Sequence, residues 1–208
     1  MLFRSMWPAP PWPGSLTASA SCRASDSRVK MIGVSIAVPA PFGGELQRFR
    51  ASFGDPSARS IPTHVTLLSP TEIADGESPQ IHDHLQRVAD AQQPFTMLLR
   101  STGTFRPVSP VVFVQVAGGI SACERIEQAI RTGPLKQDVE FYYHPHVTVA
   151  HHVDEGAMDR AFNELASYEC SFEVRAFDLF EHGDDLVWRP VGTFGFGAAG
   201  TNDSGPMP

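Results

Sequence analysis

The fold is decided by the stretch HVTL at residues 64–67, which recurs almost unchanged as HVTV at residues 146–149. Each copy lies in a run rich in β-branched and apolar residues, which predicts a β-strand. Because side chains alternate between the two faces of a strand, the histidine and threonine of each copy point the same way, with their Cα atoms about 6.5 Å apart. The intervening apolar side chains then face a core. The sequence therefore predicts two strands, each with one hydrophobic face and one face that carries an imidazole and a hydroxyl.

These two polar faces suit chemistry on a phosphate group. Imidazole titrates near neutral pH, so a histidine can give or take a proton during a reaction. A threonine hydroxyl can donate a hydrogen bond to a phosphate oxygen and stabilise the charge that grows there. We therefore predict paired acid and base catalysis by His64 and His146, with Thr66 and Thr148 as phosphate anchors.

The spacing of apolar residues predicts the same order of strands and helices around the motif in each half of the chain. The first half is predicted as strand, helix, strand, helix, strand over residues 32–38, 43–53, 62–68, 79–92 and 95–104. The second half repeats the order with strands at 110–116 and 145–152, a helix that begins near residue 121 and a helix that ends near residue 165. A last strand at 172–180 is predicted to form a closing hairpin with 186–194 around Gly183-Asp184.

Because the motifs fall in corresponding strands, the two half-chains are predicted to form a pseudo-twofold structure in which both motif strands face a shared central cleft. The predicted fold class is α+β, a bilobal fold of two antiparallel sheets flanked by helices. The domain is predicted over residues 31–197, with lobes at approximately 31–105 and 106–197 that can exchange strands.

Composition limits the class of partner. The chain has 208 residues and a net charge of −7, which argues against tight binding to long duplex nucleic acid but permits a short nucleotide in a local pocket. Cys22, Cys123 and Cys170 have no metal-binding spacing, which favours free thiols and a cytoplasmic location. No apolar run approaches the roughly 18 residues of a membrane span, so no membrane partner is predicted.

Both ends of the chain are predicted to be disordered. Residues 1–30 combine four prolines with a Ser/Ala-rich segment, and residues 198–208 are mostly small and polar. Patterned sequence begins at Met31, which suggests Met31 as the natural start; a disordered N-terminal extension is the alternative.

The two motifs resemble a known family. The strings PTHVTLL at residues 62–68 and YHPHVTVA at residues 143–150 are similar to those of the two-histidine (2H) phosphoesterase superfamily, in particular its 2′-5′ RNA ligase-like proteins and RNA 2′,3′-cyclic phosphodiesterases. The resemblance covers about residues 31–195. It implies a bilobal α+β fold and opening of a cyclic phosphate without a metal or other cofactor, on a nucleotide or an RNA end, with ligation as the reverse reaction.

The resemblance also implies roles for the histidines. It makes His64 the proton donor and His146 the proton acceptor in hydrolysis, an order that the residues by themselves do not fix. Members of the family often carry a basic residue soon after the second motif, and here His151 and His152 take that place. This departure puts the substrate in doubt more than the type of reaction.

Four further residues are candidates for substrate binding. In a regular strand His144 and His152 share the face of His146, whereas His151 points the opposite way. Phe105 and Arg106 follow the third strand, where an aromatic ring could stack on a base and a guanidinium could contact a phosphate.

Three alternatives stay open. The substrate could be another small cyclic phosphate, such as an ADP-ribose derivative. The chain could be a nucleotide- or RNA-binding module without turnover. A zinc hydrolase using His144, His146 and His152 would be sensitive to chelators, although neither a cysteine nor a clearly placed carboxylate completes such a site. A monomer is expected.

Overall fold

The computed structural model of the protein describes residues 29–138, 141–185 and 187–197. Nearly all of the predicted N-terminal extension, and the whole predicted tail at 198–208, therefore lie outside the described residues. Strand β1 begins at Val29, two residues before Met31.

Eight strands and four α-helices make up the described chain, together with short 3₁₀ turns. The strands are β1 Val29–Ala37, β2 His64–Ala74, β3 Phe95–Thr104, β4 Val111–Gly118, β5 His146–His151, β6 Glu169–Val174, β7 Ala176–His182 and β8 Trp188–Gly195. The helices are α1 Phe42–Ser52, α2 Ser78–Asp90, α3 Ile120–Ile130 and α4 Glu155–Glu164. The predicted order of elements is confirmed over the described residues as far as β5 and α4.

The strands form two antiparallel four-stranded sheets, which confirms the predicted α+β fold with pseudo-twofold symmetry. One sheet has the order β2-β1-β7-β8 and the other β5-β4-β3-β6. The two motif strands, β2 and β5, occupy corresponding edges, and they lie against each other. The cleft between the lobes is therefore built where the two sheets meet.

The end of the chain differs from the prediction. The predicted strand at 172–180 is two strands, because the chain leaves one sheet after Val174 and enters the other at Ala176. Strand β6 pairs with β3, and β7 pairs with β1. The hairpin of β7 with β8 is confirmed. A continuous apolar run cannot show such a change of sheet, since both strands bury the same kinds of side chain.

The lobes are interleaved along the chain. Strand β3, which the sequence analysis placed in the first lobe, pairs with β4 in the sheet of the second motif. Strands β7 and β8 from the end of the chain complete the sheet of the first motif. Strand exchange thus makes each lobe depend on both halves of the sequence.

Both motif strands carry a β-bulge immediately after the motif threonine. In β2 the partner of Ser35 is Thr66 and the partner of Val34 is Leu68, so Leu67 is the extra residue. In β5 the partners of Phe113 and Val112 are Thr148 and Ala150, so Val149 is the extra residue. Two successive side chains then enter the core on each strand, and the residue that follows them faces the side opposite to the one that regular alternation predicts.

A continuous hydrophobic core joins both sheets and all four helices. Helix α1 packs against β5 and helix α3 packs against β2, so each helix contacts the motif strand of the opposite half. None of the helices in the described part of the chain is long and apolar enough to cross a membrane.

Candidate active site

The two motif histidines are held by the same local contact. Nδ1 of His64 lies 2.6 Å from the carbonyl oxygen of Pro62, and Nδ1 of His146 lies 2.7 Å from the carbonyl oxygen of His144. A carbonyl oxygen can only accept a hydrogen bond, so Nδ1 carries the proton in both rings. Each neutral imidazole therefore leaves Nε2 as its second nitrogen, unprotonated and able to take a proton.

The pKa of both imidazoles is depressed. Burial lowers the pKa of His64 to about 4, against the opposing effect of the Pro62 carbonyl, and the positive charge of Arg50 lowers it further. Burial likewise lowers the pKa of His146 to about 4, with added repulsion from His144 and from His64. His146 is therefore within electrostatic range of His64, and the strands that carry the two rings lie against each other. In the absence of a ligand both rings are neutral at pH 7.

The motif threonines lie on the same strand faces as the histidines. Thr66 is paired with Ser35 of β1, and Thr148 is paired with Phe113 of β4. Both threonines keep part of their surface exposed, whereas the valine between histidine and threonine is buried in each motif. Each strand thus presents one imidazole and one hydroxyl to the same side, as the alternation predicts.

Aromatic rings enclose His146. Phe105 meets the His146 ring edge-on, with ring centroids 5.1 Å apart and an interplanar angle of 88°. Phe113 lies 4.9 Å from the same ring, and His144 lies 6.2 Å from it in a stacked arrangement. The structure therefore brings two predicted binding residues, Phe105 and His144, to the second motif, and adds Phe113.

A narrow slot adjoins His64. Its lining residues come from the first sheet and from the loop before β2: Ser35, Ile61, Pro62, His64, Phe180 and Trp188. The space left between them is about 10 Å³, close to that of one water molecule. The sequence analysis did not identify Ser35 or Phe113 as site residues. The strand register identifies them, because it places each one opposite a motif threonine. Phe180 and Trp188 are both largely buried. The sequence analysis did not place Phe180 at the site.

Arg106 is engaged away from the histidines. Its Nη1 donates to Glu155 at 2.7 Å and to Asp159 at 2.8 Å. Together with Pro107, Pro110 and Glu155 it lines an open pocket of about 480 Å³. Two carboxylates already neutralise its guanidinium, which weakens its attraction for a phosphate.

The bulge at Val149 changes the direction in which His151 and His152 face. The sequence analysis assumed a regular strand, with His152 towards the cleft and His151 away from it. Instead β5 ends at His151, which is buried, while His152 is exposed with a φ of 55°. The two rings lie 3.6 Å apart. Burial lowers the pKa of His151 to about 4, and among the charges acting on it are those of Arg50 and Asp55.

The segment before His64 is held by helix α1. Arg50 forms a buried ion pair with Asp55 at 2.8 Å, and its Nη1 donates to the carbonyl of Ile61 at 3.4 Å. Gln47 donates to the same carbonyl at 3.1 Å, and Thr63 donates to the Gln47 side-chain oxygen at 2.6 Å. Residues 61–63, which include the carbonyl that orients His64, are therefore fixed by side chains of one helix.

Potential metal ligands are not grouped in the described part of the chain. Within residues 29–138, 141–185 and 187–197, no group of three or more His, Cys, Asp or Glu side chains is arranged to hold a metal ion. His144 and His146 are neighbours, but the ring of His152 lies against that of His151, at an interplanar angle of 38°. The three histidines of the zinc alternative therefore do not converge.

Comparison with known sequences identifies relatives over most of this chain. A model of the 2′-5′ RNA ligase superfamily matches residues 38–186. A Bacillus licheniformis protein named "Putative phosphoesterase" is 27% identical over 146 residues, which are 69% of this chain and 86% of that protein. A protein of the same name from Halalkalibacterium halodurans is 27% identical over 145 residues, 69% of this chain and 84% of its own length.

Solved structures show the same fold. E. coli LigT complexed with 3′-AMP superposes with a TM-score of 0.59 at 20% identity, covering 81% of this chain and 99% of that one. E. coli LigT complexed with phosphate gives a TM-score of 0.57 at 19% identity, covering 82% and 99%. A protein of Thermus thermophilus gives 0.55 at 20% identity, covering 81% and 99%. The two-sheet architecture is thus shared by proteins of distant sequence.

Proposed function

The chain belongs to the 2′-5′ RNA ligase superfamily, and from this premise we propose that it is a phosphoesterase that opens 2′,3′-cyclic phosphates on nucleotides or RNA ends. His64 and His146 are the proposed catalytic residues, and Thr66 and Thr148 the proposed phosphate anchors. The observation that carries the proposal is the matched hydrogen bond from Nδ1 of each histidine to a backbone carbonyl. It gives two neighbouring imidazoles the same tautomer on facing strands.

The reaction needs one histidine in each protonation state. Nε2 of His146 takes a proton from water as the water oxygen forms a bond to phosphorus. Nε2 of His64, protonated, gives its proton to the ribose oxygen as the P–O bond of the ring breaks. The products are a phosphomonoester and a free ribose hydroxyl. Each positioned group contributes about 10²–10⁴-fold to the rate, and ligation exchanges the two roles.

The negative charge of the bound substrate produces the required protonation state of the histidines. Without ligand both imidazoles are neutral at pH 7, because burial disfavours both charged forms, helped by the charge of Arg50 at His64 and by repulsion from His144 and His64 at His146. A phosphodiester brings one negative charge between them, and an opposite charge at a few ångströms favours protonation. Binding therefore raises the pKa of one histidine and draws a proton into the site.

The threonines stabilise the phosphate during this step. Hydroxyl donors fixed on strands β2 and β5 contact the non-bridging oxygens without having to reorganise as charge develops there. A hydrogen bond to a charged group contributes about 1.5–3 kcal/mol. Replacing Thr66 or Thr148 by alanine is therefore expected to weaken activity less than replacing a histidine.

The proposal is tested with an RNA oligonucleotide that ends in a 2′,3′-cyclic phosphate. Wild type is expected to hydrolyse it with a chelator present, while His64→Ala and His146→Ala lose at least about 10²-fold in turnover. His82→Ala is the matched control, because His82 is exposed on α2. Thermal unfolding of each variant shows that the fold is kept. Near-wild-type turnover by either motif variant rejects the assignment.

The same assay separates the alternatives. Hydrolysis of a cyclic ADP-ribose phosphate but not of the RNA end would assign the other substrate class. Binding of the RNA end without hydrolysis would make the protein a binding module. Loss of turnover on chelation would favour metal chemistry. Cytoplasmic location and the monomeric state stay predictions.

A further inference from the structure

The two motif strands belong to different sheets, and side chains must fix their spacing. Strand β2 pairs with β1, and β5 pairs with β4. Among the described residues no backbone ladder joins β2 to β5, although the two strands lie against each other. Two catalytic groups on such strands keep their separation only if contacts across the junction resist sliding.

Tyr143 makes one such contact. Its hydroxyl donates to the carbonyl oxygen of Thr66 at 2.9 Å. Its ring is partly buried and packs against the main hydrophobic core. Burial and the nearby charges of Glu127 and Glu124 raise the pKa of the phenol, so the hydroxyl stays protonated and remains a donor. The bond thus joins the second-motif segment directly to the strand that carries His64.

The connection continues to the second imidazole. Tyr143 precedes His144, and the carbonyl of His144 is the acceptor that orients Nδ1 of His146. Two hydrogen bonds and two consecutive residues, Tyr143 and His144, therefore link Thr66 of the first motif to the His146 ring. A shift of Tyr143 would move the peptide that sets the orientation of that ring.

Residues 141–145 lie outside any strand or helix. Phe141 is 47% exposed, and Tyr142 is fully exposed. Tyr143, which is partly buried, and Pro145, which is buried, turn inward between these residues and the motif. The position equivalent to Tyr143 before His64 is Ile61, which has no side-chain donor, and helix α1 holds that segment instead.

We propose that Tyr143 is a positioning residue for the reaction proposed above, fixing the distance between the two motif strands through its bond to Thr66. This inference rests on the proposed function. The hydroxyl does not touch the substrate; it sets the geometry in which both imidazoles reach one phosphate. Because both groups act together only in the transition state, loosening the spacing lowers turnover more than it weakens binding.

The test compares Tyr143→Phe with Tyr168→Phe. Both variants keep the ring and lose one hydroxyl; that of Tyr168 contacts Glu45 at 3.5 Å, away from the motif strands. Tyr143→Phe is expected to lower kcat about tenfold with KM changed less than about twofold, because a misplacement of about 1 Å costs up to 10²-fold. Tyr168→Phe is expected to stay close to wild type.

A second readout does not depend on turnover. NMR titration of the ring protons measures the pKa of His146, which repulsion from His64 helps to depress. Separation of the strands in Tyr143→Phe weakens this repulsion, so the pKa of His146 rises, while Tyr168→Phe leaves it unchanged. Thermal unfolding of each variant confirms that measurements are made on folded protein.

The outcomes are distinct. Equal kcat in the two variants together with an unchanged His146 pKa would overturn the positioning role. So would a loss of kcat that follows only the loss of folded protein. If wild type hydrolyses no cyclic phosphate, the proposed function fails, and the NMR comparison by itself decides whether Tyr143 fixes the strand spacing.

Discussion

The two motif sites share their local geometry but differ in what supports it. Both have a histidine whose Nδ1 donates to the carbonyl two residues earlier, and both have a bulge after the threonine. The approach to His64 is fixed by polar and charged side chains of α1. His146 is enclosed by the rings of Phe105 and Phe113. The repeated part is the part that the proposed chemistry requires, whereas each half builds its own support.

This difference predicts different electrostatics at the two sites. A fixed positive charge, Arg50, lies near His64 and disfavours its protonation. At His146 the neighbouring repulsive groups are themselves histidines, His144 and His64, and the flanking phenylalanines carry no charge. The same substitution should therefore have different effects at the two sites, and four experiments compare them.

The largest effect is expected from removing both histidines. His64→Ala and His146→Ala should each lower turnover by about 10²–10⁴-fold. If the two act on one phosphate as a unit, the double variant is hardly worse than the poorer single variant, because either loss already disables the pair. Multiplicative losses in single-turnover kinetics would instead show that the sites act independently.

The next largest effect concerns the buried charges beside His64. Asp55→Asn removes the partner of Arg50 and leaves a buried guanidinium without its counter-charge, which typically costs about 3–5 kcal/mol of stability. Urea unfolding measures the change. The matched control is Asp185→Asn, which breaks an exposed ion pair with Arg189 and should leave stability nearly unchanged. A result for Asp55→Asn no larger than this control would contradict the assigned role of the pair.

A smaller change should disturb only the second site. A Cβ added at Gly103 would lie 2.5 Å from the ring of Phe113, which in turn contacts His146. Overpacking of this kind costs about 1–3 kcal/mol. We expect Gly103→Ala to shift the NMR signals of the His146 ring more than those of His64. Gly76→Ala, with no atom within 4 Å of the added Cβ, is the control. Equal shifts at both histidines would show that the two sites are not separately supported.

The last comparison is the pH dependence of anion binding. Sulfate keeps its charge between pH 5 and 8, so only the protein titrates. Because both motif histidines have a pKa of about 4 without ligand, binding that protonates one of them becomes tighter as pH falls, by up to about tenfold per unit between the pKa of the free ring and that of the liganded ring. Calorimetry measures the affinity, and NMR shows which ring takes the proton. An affinity independent of pH would exclude coupled protonation.

Much of the fold and site followed from local pattern. The alternation of HVTL and HVTV placed each histidine and threonine on one face, and the apolar periods located α1, α2, β3 and the closing hairpin. These predictions succeeded because facing and periodicity depend on residues only a few positions apart. The strand at 172–180 failed because its division between two sheets depends on partners far away in sequence.

The sequence by itself determined the two-motif plan, the pairing of imidazole with hydroxyl and the family. Only the tertiary structure decided the bulges that bury His151 and expose His152, the engagement of Arg106 by Glu155 and Asp159, and the bond from Tyr143 to Thr66. The physical reason is the separation along the sequence of the residues that determine each feature. Side-chain alternation is a property of the local backbone, whereas register, ion pairing and contacts between sheets depend on which distant segments folding brings together.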